Sequence, residues 1–437
     1  MPVDLLLRDG IVILDGREEV RSIGVKYDKI AGIYPVGQEP MANRVIECTG
    51  LFVLPGMIDI HVHLRDLEQK EREDYRTGTM AAAAGGVTSV VDMPNSVPPV
   101  LTRGVLDTKI ANAQSSRYVN VGFYAGVPKS VEDFDQALVP DILGLKVYPH
   151  APLAAGTEYT KRRIEDCVSL AKEHSLPLMF HPDSSRENAR ITSIDDHLLV
   201  HGCDNECESL ERFIEAKRRV DGRIHVCHVS CASAARLIAE NRAESSLTAE
   251  VTPHHLLLSS DQFPYEDGIA KMLPPLRSPY DSQTLRQMLC DKCAIDCVAS
   301  DHAPHTAGQK REDFLRAAAG IPGLETTVPL LLTEVFDKRI SWVDYLRVCC
   351  SAPAEIVGLT GKGVLAEGFD ADIVVVSKEE YRIRGDRFFS KARLTPFEGH
   401  RVLARPVVTI VGGNVVYSYG RFMIEAGLAG RVPLRKH

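Results

Sequence analysis

The chain has no apolar run long enough to cross a bilayer, which argues against a helical membrane span. It also has no excess of positive charge. Lysine and arginine number 51 against 59 aspartates and glutamates, a formal net charge of -8, so it carries no basic footprint for nucleic acid. The N-terminal MPVDLLLRDGIVILDG lacks the cleavage region of a signal peptide and alternates like a strand and hairpin. Together these features predict a cytoplasmic protein with neither nucleic acid nor membrane as a partner. A paired cysteine framework is missing too. The 11 cysteines are odd in number and scattered through apolar segments, as expected of reduced, buried thiols. Cys290, Cys293 and Cys297 come nearest to a zinc cluster, but no fourth ligand stands at ribbon-like spacing. Their surroundings, LRQMLCDKCAIDCVASD, read instead as a helix running into a strand. There is no low-complexity segment and no repeat beyond an alternation of strand and helix.

What is present is an ordinary globular composition, 44% hydrophobic and 25% charged over 437 residues, enough for one large barrel and a smaller domain. Residues 1–52 hold short strands punctuated by Gly and Asp, and residues 359–437 have the same texture. Neither piece has enough strands to bury a sheet alone, so the two are expected to form one small β-sandwich. Between them, in residues 53–358, eight strand-like segments alternate with helix-like ones such as YRTGTMAAAAG and TKRRIEDCVSLAKEH. That rhythm predicts parallel strands with crossover helices, and eight repeats predict a (β/α)8 barrel. An open doubly wound sheet is the alternative. Polar residues at the ends of nearly every strand favour the barrel.

The first barrel strand lies in PGMIDIHVHLRD, residues 55–66. Residues two apart on a strand point the same way, so His61 and His63 form a ready pair of metal ligands and Arg65 continues their face. A lone histidine in a strand is usually a satisfied core residue. Two histidines with an arginine and Asp59 have no good packing explanation. Further polar groups stand at later strand ends: Asn95 in DMPN, Lys146 in GLKVY, His181, His228, and Asp301, His302 and His305 in SDHAPH. In a barrel these ends converge on one mouth. The donors suit Zn²⁺, and they exceed what one tetrahedral catalytic ion needs, so two ions sharing a bridging group fit better. Lys146 stands between apolar neighbours, where an ammonium is costly. Burial favours the neutral amine, which takes up CO₂ to become a bridging carbamate. The bland alternative is a lysine reaching to the barrel surface. Two long loops, residues 149–160 and the stretch after His305, stand at the same face and are candidate lids.

With PGMIDIHVHLRD, VVDMPNSVPP, GLKVY, HVCHVS, EVTPHHLLL, SDHAPH and IPGLET in view, the chain resembles the amidohydrolase superfamily over nearly its whole length. Within it, the chain is most similar to the dihydroorotases of the carboxylated-lysine branch. The resemblance implies that His61, His63 and Asp301 hold the more buried zinc, that His181 and His228 hold the second, and that carboxylated Lys146 bridges them. It implies that Arg65, Asn95 and His305 contact a substrate carboxylate and that backbone near Ala319 and Gly320 contacts a pyrimidine ring. Cys227 and Glu250 match residues that hold a third zinc in some members. Asp301 would be the proton shuttle in the reversible cyclisation of N-carbamoyl-L-aspartate to L-dihydroorotate, a step of pyrimidine biosynthesis. A homodimer, and association with another enzyme of that pathway, would be in keeping. Three departures stand out: HLRDLEQ replaces the frequent HLREPG, Lys146 stands where several bacterial members use aspartate, and Leu273 occupies a position often held by Asn or Arg. Leucine donates no hydrogen bond, so Arg277 or the main chain is expected to substitute. The alternatives are a hydrolase of hydantoin or allantoin, and an inactive homologue kept as a scaffold.

Overall fold

The computed structural model describes residues 2–184, 190–242, 246–290 and 294–433. Cys293, and residues 243–244 of the helix expected in ASAARLIAENRAE, lie outside these. The seventeen strands among the described residues are numbered in chain order. The first five are β1 (Val3–Leu14), β2 (Arg17–Lys26), β3 (Lys29–Pro35), β4 (Ala42–Glu47) and β5 (Phe52–Pro55). The next eight are β6 (Met57–Val62), β7 (Val87–Asp92), β8 (Asn120–Gly126), β9 (Gly144–Val147), β10 (Leu178–Phe180), β11 (Ile224–Val226), β12 (Leu247–Val251) and β13 (Cys297–Val298). The last four are β14 (Ile373–Arg382), β15 (Arg401–Val411), β16 (Asn414–Ser418) and β17 (Arg421–Phe422).

β6 to β13 pair side by side in chain order, all in parallel. The ring closes just past β13, where His302 bridges Val62 and the His63 N–H donates to His302 O at 2.8 Å. This is the expected eight-stranded barrel, and each segment read as a barrel strand contains one. Alternation decides what faces its interior. On β9, Leu145 and Val147 pack outward with the helix layer, and Lys146 between them faces inward, beside Met179 of β10. Helix Ala352–Val357 packs Ala354, Ile356 and Val357 into the same interior cluster as Ile58, Tyr124 and Met179.

The terminal segments come together as expected of the small β-sandwich, and hydrogen bonding joins them in one nine-stranded sheet. β5 pairs antiparallel with β14, so the two ends of the chain meet. A register shift between Leu7 and Gly10 divides β1. Its first half pairs with β4 and Ile11–Val12 with β5, as a bulge allows. Leu5, Leu7, Val25, Ile373, Val375 and Ile410 share its core. Among the described residues no helix is long and apolar enough to cross a membrane. Cys290 ends helix Pro279–Cys290, and Cys297 is buried in β13.

One buried charge pair fixes the mouth-facing end of β6. Asp92 ends β7, and its Oδ1 accepts from the Leu64 N–H at 2.9 Å. Its Oδ2 accepts from the Tyr75 hydroxyl at 2.8 Å and lies 2.9 Å from Lys109 Nζ. The lysine is close enough to neutralise the carboxylate but off the line of a hydrogen bond. Both charges are 1% exposed, where an unpaired ion is expensive. Lys109→Met strands the Asp92 charge and is expected to cost about 3–5 kcal/mol. Urea unfolding of the two proteins checks this, and a loss below about 1 kcal/mol would mean that Asp92 does not depend on the lysine.

Candidate metal centre and substrate cavity

The strand ends open into a cavity of about 360 Å³. His61, His63, Arg65, Asn95, His181, His228, Asp301, His305, Ala319 and Gly320 all line it. A wider depression of about 570 Å³ between helix Thr327–Phe336 and the C-terminal strands contains none of the histidines.

His61 and His63 lie side by side, ring centroids 5.4 Å apart. Their Nε2 atoms stand 3.4 and 3.1 Å from Asp301 Oδ1. His63 Nδ1 is 2.7 Å from Asn95 Oδ1. The amide oxygen can only accept, so Nδ1 carries the proton and Nε2 turns a lone pair toward a carboxylate oxygen. His61 is flanked by carboxylates at both nitrogens, Glu250 at Nδ1 and Asp301 at Nε2. A neutral imidazole donates from one nitrogen only, so one carboxylate faces a lone pair unless a cation, proton or metal, lies between them. Burial works against the Asp301 carboxylate, but the charge of His61 and the close contact with His63 outweigh it and hold its pKa at about 2.

The second cluster is short of partners rather than crowded with acceptors. The His181 and His228 rings are 4.5 Å apart, and His228 lies 5.2 Å from His61. His181 Nε2 and His228 Nδ1 are buried without a hydrogen-bond partner among the described residues. Burial drives both imidazoles well below the usual histidine range, so they are neutral and able to coordinate. Lys146 is 0% exposed, which rules out a lysine reaching the surface. Its Nζ donates to Cys227 Sγ at 2.8 Å and stands 4.9 Å from the Tyr148 ring centre. Among the described residues no carboxylate pairs with it, so a buried ammonium lacks the anion it needs. Conversion to a carbamate would supply one. Facing acceptors, orphaned imidazole nitrogens and an uncompensated lysine therefore fit a metal pair of nitrogen and oxygen preference. His61, Cys227 and Glu250 also converge within coordination distance of one another.

Three of these residues hold left-handed backbone: Arg65 at φ 56°, His228 at φ 35° and Asp301 at φ 46°. Without that turn, His228 would alternate with inward-facing Cys227 and point away from the mouth. Strain of this kind is held by surrounding structure and concentrates at functional sites.

Arg65 Nη2 lies 3.2 Å from His305 Nε2, and Nε donates to Pro304 O at 3.4 Å. Burial and the charge of Arg65 hold His305 at about 3, so it is a neutral hydrogen-bonding group. His305 Nε2 is also 3.0 Å from Ala319 O. Gly320 completes this wall at φ 129°, and a Cβ there would stand 2.6 Å from Ala303 O.

Two expectations are corrected. Arg277 does not replace the missing donor at Leu273. Its guanidinium is committed to Ser230 Oγ at 2.9 Å, His201 O at 2.6 Å and Glu206 at 3.1 Å, whereas Leu273 itself lines the cavity. His302 follows Asp301 but turns outward, with Nδ1 accepting from the Gly323 N–H at 3.2 Å. Sequence reasoning also missed His150. It lines the cavity with its ring 4.1 Å from that of His181, and the only hint was its place two residues beyond Tyr148 in GLKVYPH. His225 was missed as well, a neighbour of Glu250 at 3.1 Å and too far from the mouth for spacing to suggest it.

An eight-stranded barrel bearing these donors at its strand ends is the architecture of a barrel hydrolase. Residues 52–416 match the Amidohydrolase family, and the chain belongs to it. A dihydroorotase of Methanothermobacter thermautotrophicus is 36% identical over 390 residues, covering 87% of this chain and 88% of that protein. One of Staphylococcus aureus is 33% identical over 454 residues, covering 94% and 99%. Among solved structures, L-hydantoinase (dihydropyrimidinase) from Arthrobacter aurescens has a TM-score of 0.89 at 25% identity, covering 99% of this chain and 100% of that one. Dihydropyrimidinase from Brevibacillus agri NCHU1002 has a TM-score of 0.87 at 26% identity, covering 98% and 97%.

The wall carrying Ala319 and Gly320 is pinned by lysines. Lys310 Nζ donates to Lys271 O at 2.7 Å and Ala318 O at 2.9 Å, and Lys271 Nζ to Phe314 O at 2.6 Å. This stretch reads as a braced wall more than as a mobile lid. Burial, with the nearby charge of Lys271, pushes Lys310 down to about 7. A lysine lowered by folding penalises the folded state below about 7, where it is charged in both states, and the penalty fades as pH rises toward the ordinary value of ~10.4. Wild type is therefore expected to gain stability relative to Lys310→Met between about pH 7 and 10, by up to a few kcal/mol. Denaturation of both proteins across that range checks it, and parallel curves would show that Lys310 is charged throughout.

Proposed function

We propose that the protein is a dihydroorotase, interconverting N-carbamoyl-L-aspartate and L-dihydroorotate in pyrimidine biosynthesis with two zinc ions. The observation that carries this reading is Arg65, with Asn95 close by, on the same cavity as the histidine and carboxylate clusters. A guanidinium matches the planar, two-oxygen geometry of a carboxylate, and the substrate of this reaction has one beside its reacting amide. Asn95 gives its oxygen to His63, which leaves its amide N–H groups to donate. The curated relatives named dihydroorotase support the same assignment.

His61, His63 and Asp301 would hold one ion, His181 and His228 the other, and carboxylated Lys146 would bridge them. When bound, such ions activate water and polarise the amide carbonyl. The protein's own groups do the rest. Arg65 and Asn95 orient the ring by its carboxylate, and His305 holds the Arg65 fork in place. The Asp301 carboxylate takes the proton of the attacking water and passes it to the departing ring nitrogen, and in the opposite direction it returns it. Backbone near Ala319 and Gly320 would contact the ring, and a side chain at Gly320 would collide with Ala303 O. Cys227 and Glu250, with His61, offer a place for a third ion. A second reading, hydrolysis of a hydantoin or dihydropyrimidine, is favoured by the solved hydantoinases of the same fold. Those rings need carry no carboxylate, which leaves Arg65 without a task.

Metal analysis of the purified protein is expected to give about two zinc per chain, and Lys146→Ala to lose most activity and part of the metal. A fully active enzyme with one metal would remove the bridged-pair reading. Substrate choice is tested at Arg65. Losing a buried charged partner costs about 2–5 kcal/mol, or roughly 30- to several-thousand-fold in kcat/KM. Arg65→Met is expected to lose that much toward dihydroorotate and far less toward a neutral hydantoin, and Arg65→Lys to remain strongly impaired. Equal losses on both substrates would make Arg65 structural and favour the hydantoinase reading.

A further inference from the structure

From Lys271 to Arg277 every residue is buried except Leu273, and Leu273 alone of this stretch lines the cavity. The carbonyls around it are each taken. Lys271 O accepts from the Gly320 N–H at 3.1 Å as well as from Lys310. On one side of Leu273, Met272 O stands 2.8 Å from His197 Nε2. On the other, Pro274 O stands 3.2 Å from His255 Nε2. A carbonyl only accepts, so both Nε2 atoms carry the proton. The two imidazoles come from different elements, His197 from helix Ile194–Val200 and His255 from helix Pro253–Leu257 just past β12. Both are buried. Burial lowers them to about 3 and about 4, so neither gains a charge near neutral pH. His255 is fixed in turn by Thr252, whose hydroxyl oxygen lies 2.8 Å from its Nδ1 and accepts from its N–H at 3.2 Å. His197 packs edge-on against Phe314, ring centroids 6.0 Å apart, and Phe314 shares an apolar cluster with Ile194 and Met272. Two buried imidazoles thus grip the backbone immediately before and after one cavity-lining side chain.

We propose that Leu273 is a specificity-determining residue of this cavity and that His197 and His255 are the positioning residues that hold it there. The substrate named in this inference rests on the dihydroorotase reading. Leucine offers no hydrogen bond, and a polar atom pressed against it loses its water without replacement. The ring of dihydroorotate has carbonyls, N–H groups and a carboxylate along most of its edge, and one methylene. Arg65, Asn95 and the backbone near Gly320 can satisfy polar edges, whereas the methylene is the part that suits an apolar wall. Leu273 therefore orients the ring by exclusion, because a ring turned to bring a carbonyl or N–H against it forfeits a hydrogen bond. A wall selects in this way only if it does not retreat. Retreat here means parting Met272 O from His197 or Pro274 O from His255, and either leaves a buried carbonyl unpaired. Leu273 takes no part in bond making or breaking, so it acts alike on bound substrate and transition state and its effect falls on KM.

The test is a pair of double-mutant cycles on the full-length, zinc-loaded protein, with KM and kcat for dihydroorotate hydrolysis and metal content measured on each variant. Leu273→Ala is expected to raise KM about tenfold and to change kcat by less than about threefold. An unchanged KM would overturn the proposal. Leu273→Asn keeps the size of the side chain and adds a donor, and it is expected to be impaired at least as much. A KM below that of wild type would show that substrate needs a hydrogen bond at this wall, which also overturns the proposal. His197→Leu and His255→Leu are expected to raise KM as Leu273→Ala does, with metal content unchanged, and His197→Gln, which keeps an N–H to donate, to recover most of the loss. In the Leu273→Ala background either histidine change should add less than about twofold. Full additivity, or loss of metal, would mean that the histidines act elsewhere than through Leu273. The two cycles are independent, so if one histidine variant does not fold the other decides. A protein that hydrolyses hydantoin and not dihydroorotate would sink the dihydroorotase reading alone. Hydantoin also carries one methylene on a polar ring, and the same cycles run on it then decide the wall.

Discussion

Buried charge has to be balanced by something nearby, and that requirement organises this molecule. The barrel mouth gathers imidazoles, carboxylates, a lysine and an arginine in a space from which water is largely excluded. In such a place an uncompensated ion costs several kcal/mol. Around the mouth, two buried carboxylates have a counter-charge. Lys109 answers Asp92 and Arg277 answers Glu206. At the centre of the mouth it leaves the balance incomplete. Asp301 and Glu250 press on both sides of His61, and among the described residues Lys146 has only a thiol and an aromatic ring. Each deficit has the sign that cations and a carbamate would correct.

The second constraint is direction. A parallel barrel offers each strand one inward residue in two, and the site needs more than that rule delivers. His61 and His63 obey it. His228 and Asp301 reach the mouth only through left-handed backbone, and Arg65 begins a run of three such residues with Asp66 and Leu67. That run is tied down at both sides. Asp92 holds Leu64, the Asp66 N–H donates to Glu73 O at 3.2 Å, and Asn112 donates to the Asp66 carboxylate at 2.6 Å. The altered HLRDLEQ loop is thus the place where the chain stores strain next to the residue that would select the substrate.

The barrel was legible because its strands combine apolar runs with polar ends at a regular interval, and most of the residues named at those ends now line one cavity. The histidine pair was legible because a strand's period is two. What spacing does not reveal is whether a polar side chain is already committed. Arg277 sits in a motif beside the mouth, but Glu206, Ser230 and His201 claim its guanidinium from segments that are remote in sequence. His302 belongs to the same short motif as Asp301 and His305, and a single left-handed residue turns it outward. His150 was hidden in a stretch of small residues, where composition pointed to a loop and gave no reason to look for a ring beside His181.

The pairing of β5 with β14 has a consequence for the order in which the molecule is made. Its partners lie on opposite sides of the barrel in sequence, so the terminal sheet is among the least local contacts of the chain. On a ribosome, β1 to β5 emerge first and wait with an open edge at β5 while the whole barrel is synthesised. The barrel has to bring its own ends together before the sheet can be completed. Its closure at His63 and His302 therefore does two jobs, since the step that gathers the candidate ligands at the mouth also delivers β14 to the strand that has been waiting for it.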